Sequence, residues 1–166
     1  MIRPVSPDDA ASICDIYNYY IENTIITFEE TPLLTFQMEE RIRKISAKYP
    51  FIVWEEETGK INGYAYINIW KERSAYRFSA ELSVYIRDGL QGRGMGRKLM
   101  EKLLEEVRKT EVHCLVSGIA LPNDRSVALH EKLGFKKIAL FGEIGRKFNK
   151  WVDVGYWELI IKGEGK

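Results

Sequence analysis

The stretch Gln91 to Gly96, QGRGMG, sets three glycines at alternate positions between a strand-like run, ELSVYI (residues 81–86), and a helical pattern, RKLMEKLLEEV (residues 97–107). Bare backbone at a helix start suits a tight turn or a phosphate group, because the unpaired amides of the first turn and the positive end of the helix dipole both favour an anion. Two phosphate fingerprints can be tested by counting. A dinucleotide-binding G-x-G-x-x-G begun at Gly92 puts Arg97 where a third glycine must let the helix pack closely. A P-loop begun at Gly89 reaches Gly94 with the right separation and then offers Met95 in place of the phosphate-binding lysine. Neither fits. A strand, a short turn and a glycine-rich helix start remain, a geometry that suits a pyrophosphate held by backbone amides.

Outward from that turn the chain reads as a run of alternating helices and strands. Ala10, Ile13, Ile16, Tyr17 and Tyr20 recur at helical spacing behind Ser6-Pro7-Asp8-Asp9, a start in which the serine caps free amides and the acids face the positive dipole end. An irregular, β-branched stretch, NTIITFEETPL, follows and can wall a pocket; Phe36 to Lys48 then predicts a second helix stopped by Pro50. Two strands about a Thr58-Gly59 turn and a third, AELSVYI, are separated by the polar connection KERSAYRFS. Met95, Leu99, Leu103 and Val107 form the apolar face of the helix behind the glycines. HCLVSGIA predicts a strand, Asn123 and Asp124 cap a helix through Leu133 that Gly134 ends, and strands over 135–141 and 154–161 close the chain. The order αα-βββ-α-β-α-ββ argues for an α/β or α+β domain with a mixed sheet.

Composition narrows the function classes. The 166 residues suit one domain, and 45% hydrophobic with 30% charged residues at a formal net charge of +1 leave no basic excess for nucleic acid. No window approaches the roughly 18 apolar residues of a membrane span, and MIRPVSPDDA lacks an apolar signal core. Cys14 and Cys114 stand far apart in no metal-like spacing, as expected of small core residues in a reducing compartment. A cytoplasmic protein that needs no metal is expected.

The spacing Gln91-x-x-Gly94-x-Gly96 resembles the acyl-CoA pyrophosphate motif of the GCN5-related N-acetyltransferases, [Q/R]-x-x-G-x-[G/A], in its usual strand-to-helix setting. Asn123 and LHEKLGF (Leu129 to Phe135) resemble the second CoA-binding segment of that superfamily. The stretches YNYYIENTIITFEE, WKERSAYRFSAELSVYI, LPNDRSVALHEKLGF and WVDVGYW are similar to the phosphinothricin and methionine sulfoximine acetyltransferase branch over nearly the whole chain. The resemblance implies a single acyl-CoA N-acyltransferase domain over residues 1–162, a mostly antiparallel mixed sheet flanked by helices, with residues 163–166 (GEGK) frayed.

It also implies a chemistry. A substrate amine is mostly ammonium at pH 7, so acetyl transfer from acetyl-CoA needs a proton acceptor. Glu81, which strand alternation puts on one face with Ser83 and Tyr85, matches the carboxylate the family uses as general base. The backbone of Val84, Tyr85 and Ile86 is expected along the pantetheine arm, and Gln91, Gly92, Arg93, Gly94, Met95, Gly96 and Arg97 around the pyrophosphate. Asn123 matches the asparagine that hydrogen-bonds the arm, in addition to capping its helix. Many members carry a tyrosine that protonates the departing thiolate; this chain has His130 at that segment, and a histidine can donate a proton near neutrality.

Phosphinothricin and methionine sulfoximine are α-amino acids with a tetrahedral phosphorus or sulfur group, so their pocket needs cations and amide donors. Lys71, Arg73, Tyr76 and Arg77 lie in the loop where the resemblance puts acceptor contacts, with Phe28 and Glu29 as the opposite wall and Glu29 facing the ammonium. Trp151 to Val154 resembles a segment that crosses a homodimer contact in the branch. Two alternatives keep the donor and change the rest: an N-acetyltransferase for a peptide or protein amine, and a non-catalytic acyl-CoA-binding module. A polyamine acceptor would want an acidic pocket, and this loop is basic.

Overall fold

The computed structural model describes residues 1–161; the expected frayed tail, 163–166, lies outside them. Strands β1 (Ile2–Pro4), β2 (Phe51–Glu55), β3 (Ile61–Ile69), β4 (Ser79–Ile86), β5 (Cys114–Leu121), β6 (Lys136–Lys147) and β7 (Lys150–Ile160) form one sheet in the order β1-β2-β3-β4-β5-β7-β6. Every neighbouring pair is antiparallel except β4 and β5. Helices α1 (Ala10–Asn23) and α2 (Thr35–Ser46) cover one face; α3 (Met95–Val107) packs on the other, where α4 (Asp124–Lys132) follows β5.

The period of each segment decides which face it serves. Leu82 and Ile86 of β4 point into the α3 core, while Tyr85 between them packs against Tyr17, Tyr20 and Tyr64 on the α1 and α2 side. Leu99, Met100, Leu103, Leu104 and Val107 of α3 are all buried, each contributing about 1.5–3 kcal/mol of apolar burial. Ser6 opens the first helical segment with a reciprocal cap: its hydroxyl accepts from Asp8, and the Asp9 carboxylate accepts from the Ser6 amide. That cap starts a 3-10 turn, Pro7–Asp9, ahead of α1.

Three elements differ from the sequence expectation. β1 is too short to show any period. β6 runs to Lys147 and β7 begins at Lys150, so the closing hairpin is longer than the strands expected over 135–141 and 154–161. Most β6 residues are exposed on both faces and a register shift lies between Phe141 and Gly145, which erases the alternation a strand ordinarily displays.

The feature that positions the site is a fork. The parallel ladder between β4 and β5 covers only Ser79 to Glu81 against Cys114 to Val116, and beyond it the strands diverge. Ser117 is buried at the vertex, its Oγ 3.4 Å from the Leu82 carbonyl oxygen and 2.9 Å from His130 Nε2. A side chain from α4 thus enters where the next rung would form. The divergence opens a cleft of about 380 Å³ lined by Leu82 to Tyr85, Ser117 to Ala120, Asn123, Ser126 and His130, with Ile26 at its rim.

Candidate active site

Glu81 is the last β4 residue paired to β5, on the face covered by α1 and α2. Burial pushes its carboxyl above the ordinary value, and no hydrogen bond or ion pair to it occurs among the described residues. Gly118 lies beside it. A Cβ there would lie 3.6 Å from Glu81 Oε1 and 3.2 Å from the Tyr156 ring, so bare backbone lets both groups close over β5. Tyr156 packs edge-on against Trp70 and Phe141, making an aromatic wall on the same side.

The backbone beyond Glu81 divides by alternation. The carbonyls of Leu82 and Ile86 point to the fork, since they face Ser117 Oγ and the Tyr20 hydroxyl, so Val84 between them faces it too. Tyr85, expected with Val84 and Ile86 along the arm, turns its main chain toward Tyr64 of β3 and only its flank lines the cleft. The Ile86 carbonyl already accepts from Tyr20 Oη at 2.6 Å.

The glycine turn leads straight from the end of β4 to α3. Gly92 and Gly94 have φ of 80° and 78°, left-handed values that favour glycine. Gly96 has no such need, since a Cβ there would only touch Leu129 at 3.5 Å. Among the described residues no side chain caps the first turn of α3, which leaves its amides for an anion. Gln91 of the motif turns inward: its Nε2 donates to Tyr20 Oη at 3.2 Å, fastening the turn to α1. Arg93 and Arg97 are exposed, Arg97 bridged to Glu101 at 2.7 Å, and the half-buried Met95 packs against the α3 core. Asn123 caps α4, accepting from the Ser126 amide at 3.2 Å, and also lines the cleft.

His130 is buried at 2% exposure, and its environment fixes its state. Burial holds its pKa below the ordinary value. The Ser126 carbonyl, 2.8 Å from Nδ1, can only accept, so Nδ1 carries the proton and Nε2 accepts from Ser117. The acid role expected of His130 therefore lacks a proton facing the cleft. Ser117 is the polar group it presents there.

On the acceptor side the expected residues are dispersed. Arg73 opens the 3-10 turn Ser74–Tyr76 and makes no ion pair among the described residues. Lys71 lies over the Trp70 ring at 5.5 Å and Arg77 over Phe78 at 4.2 Å, while Tyr76 is exposed. Phe28 is exposed on the opposite loop. Glu29 is already paired within the chain: its carboxylate accepts from Arg41 at 2.7 Å and Tyr17 at 2.8 Å. Burial pushes the Glu29 carboxyl up, and those two donors outweigh it and hold it below the ordinary value.

Arg41, Tyr17, Ser117 and Tyr156 escape a reading of the sequence alone. Arg41 looks like any exposed charge of an amphipathic helix, and Ser117 like any small strand residue. Among the described residues no group of three or more His, Cys, Asp or Glu side chains could hold a metal, and no helix is long and apolar enough to cross a membrane.

Comparison with known proteins agrees with this architecture. The profile of the acetyltransferase (GNAT) domain matches residues 2–155. A phosphinothricin N-acetyltransferase of Streptomyces viridochromogenes is 36% identical over 157 residues, 95% of this chain and 85% of that one. An L-methionine sulfoximine/L-methionine sulfone acetyltransferase of Salmonella typhimurium is 34% identical over 162 residues, 95% of this chain and 92% of its own length. The solved structure of an acetyltransferase, yncA, from Salmonella typhimurium with its cofactor acetyl-CoA superimposes with a TM-score of 0.95 at 32% identity, covering 100% of this chain and 96% of that one. With its fork, its glycine turn and these relatives, the chain belongs to the GNAT family of acetyltransferases.

Proposed function

We propose that the protein transfers the acetyl group of acetyl-CoA to the α-amine of a small amino-acid-like acceptor, of the phosphinothricin or methionine sulfoximine class, with Glu81 as general base. The observation that carries this reading is a half-buried carboxylate, unpaired among the described residues, where β4 and β5 part beside a cleft, on the strand that leads to an uncapped helix start. Acetyl-CoA supplies the activated thioester. The α3 amides with Arg93 and Arg97 hold its phosphates. The fork-facing main chain of Val84, with Asn123 across the cleft, aligns its arm. His130 fixes the Ser117 hydroxyl beside that arm and serves as a positioning residue.

Glu81 takes a proton from the incoming ammonium, directly or through one water, and burial, by raising its pKa, makes it a stronger base than a solvated carboxylate. Arg73 and the cations laid over Trp70 and Phe78 favour an acceptor that carries an anionic group, which counts against a polyamine. The aromatic wall of Trp70, Phe141 and Tyr156 suits its side chain.

The test is release of CoA thiol from acetyl-CoA with phosphinothricin, methionine sulfoximine, methionine sulfone, common amino acids, spermidine and a short peptide. Saturable release with the first three supports the reading. Release only with the peptide moves the acceptor to a protein amine, and binding of acetyl-CoA without release for any acceptor makes the chain a non-catalytic module. The exposed Leu140, Phe141, Ile144, Phe148 and Trp151 of the β6–β7 hairpin further support a homodimer through that edge, which light scattering would read as twice the chain mass of 19.3 kDa.

A further inference from the structure

Lys147 is a buried lysine at 2% exposure, and no carboxylate pairs with it among the described residues. Its Nζ donates to the Thr27 carbonyl at 2.8 Å and reaches the Tyr20 carbonyl at 3.4 Å. Both acceptors belong to the end of α1 and the loop after it, residues 24–34, which carries Ile26 at the cleft rim and Phe28 and Glu29 beyond it. A buried ammonium is costly unless its donors are satisfied, so this one holds the loop at the position where two carbonyls meet it.

A second contact from the same strand acts on the same loop. The Phe28 ring lies against Gly145, where a Cβ would come within 2.1 Å of the ring carbons. From the α1 side, Tyr17 Oη pairs with Thr27 Oγ1 at 2.8 Å and donates to Glu29 at 2.8 Å. The loop is thus gripped from β6 at Thr27 and Phe28 and from α1 at Thr27 and Glu29.

We propose that Lys147, seconded by Gly145, is a positioning residue of the acceptor site: the β6 strand sets the acceptor loop, and so sets acceptor affinity, and neither residue lines the donor cleft. The proposal rests on reading residues 24–34 as an acceptor wall. Lys147→Met keeps the length of the stem and removes the donors. Gly145→Ala leaves Lys147 intact and displaces Phe28.

The experiment pairs steady-state kinetics with hydrogen exchange of the peptides covering residues 24–34, in the full chain, with methionine sulfone as acceptor. Loss of a hydrogen bond from a charged group predicts an acceptor KM raised about tenfold in Lys147→Met, with acetyl-CoA KM within about twofold and faster exchange confined to the loop. Gly145→Ala moves the same two readouts in the same direction, and supplies the test if Lys147→Met does not fold. Unchanged exchange in a folded variant overturns the grip. Faster exchange with an unchanged acceptor KM leaves the grip standing and removes the loop from the acceptor site. A rise in acetyl-CoA KM alone overturns the assignment to the acceptor side.

Discussion

Replacing Glu81 by glutamine removes a charge that has no hydrogen-bond or ion-pair partner among the described residues. The side chain keeps its shape, so the fold has no reason to fail. A positioned general base contributes about 10²–10⁴ in rate, which at 1.36 kcal/mol per decade is about 2.7–5.4 kcal/mol of barrier. Part of that can be assigned. The α-amine of a free amino acid is almost wholly ammonium at pH 7, so pre-equilibrium deprotonation accounts for one share and proton transfer during attack for the rest. The variant should therefore lose about 10²–10⁴ in kcat/KM for the acceptor, with acetyl-CoA affinity retained. Its residual rate should climb with pH as the amine deprotonates unaided.

Stability supplies an independent check with a definite sign. Burial raises the folded pKa of Glu81 above its unfolded value, so the folded state holds the proton more tightly and wild-type stability from this group falls as pH rises through that window. Glu81→Gln should melt like the wild type below about pH 4 and above it at neutral pH. A variant with kcat/KM within about threefold of wild type and an unchanged pH profile would refute Glu81 as base.

The remaining predictions are shorter. Arg93→Ala with Arg97→Ala should weaken acetyl-CoA binding about tenfold at low salt and flatten its salt dependence, measured by calorimetry. The melting temperature should barely move, because the lost Arg97–Glu101 bridge is exposed. His130 is held neutral by burial, so the stability it contributes is present above its unfolded pKa, ~6.5, and is lost as pH falls through that value toward the folded one. Melting between pH 7.5 and 5.5 should fall further in wild type than in His130→Gln; equal falls would exclude the mechanism. At Gly155 a Cβ would sit 2.4 Å from Trp157 Cζ3, inside the core. Gly155→Ala should cost about 1–3 kcal/mol, or roughly 3–10 °C in Tm, and no shift would mean that the indole has room to move.

The ease with which each part can be read from sequence follows from where its information lies. α3 is legible because its apolar residues repeat at helical period, and the glycine turn because two positions demand left-handed backbone. Glu81 is singled out by the family resemblance, and the alternation of β4 adds only the face it shares with Ser83 and Tyr85. The β6–β7 hairpin is not legible, since strand edges exposed on both faces carry no period. The pairing of Glu29 is hidden for a similar reason: Arg41 lies 12 residues away on α2, and only the tertiary fold brings it to the loop that carries Glu29. His130 could be named as polar and near the cleft, but its tautomer depends on a carbonyl one helical turn back. Lys147 sits in a run, RKFNK, that reads as solvated charge, and the loop arching over it is what buries it.

The fork has a consequence for the native state itself. Past Glu81 the two central strands turn peptide groups toward a gap in place of a neighbour, an opening in the middle of a sheet whose other ladders are closed. An extended molecule with amides of its own, threaded between them, would act as an eighth strand and restore the continuity that the polypeptide leaves broken. Occupancy and foldedness are then one equilibrium: at a hundredfold excess over Kd such a ligand adds about 2.7 kcal/mol to the free energy of unfolding. The empty protein should be the weakest form the cell ever holds, and its resistance to heat a direct reading of how much donor is present.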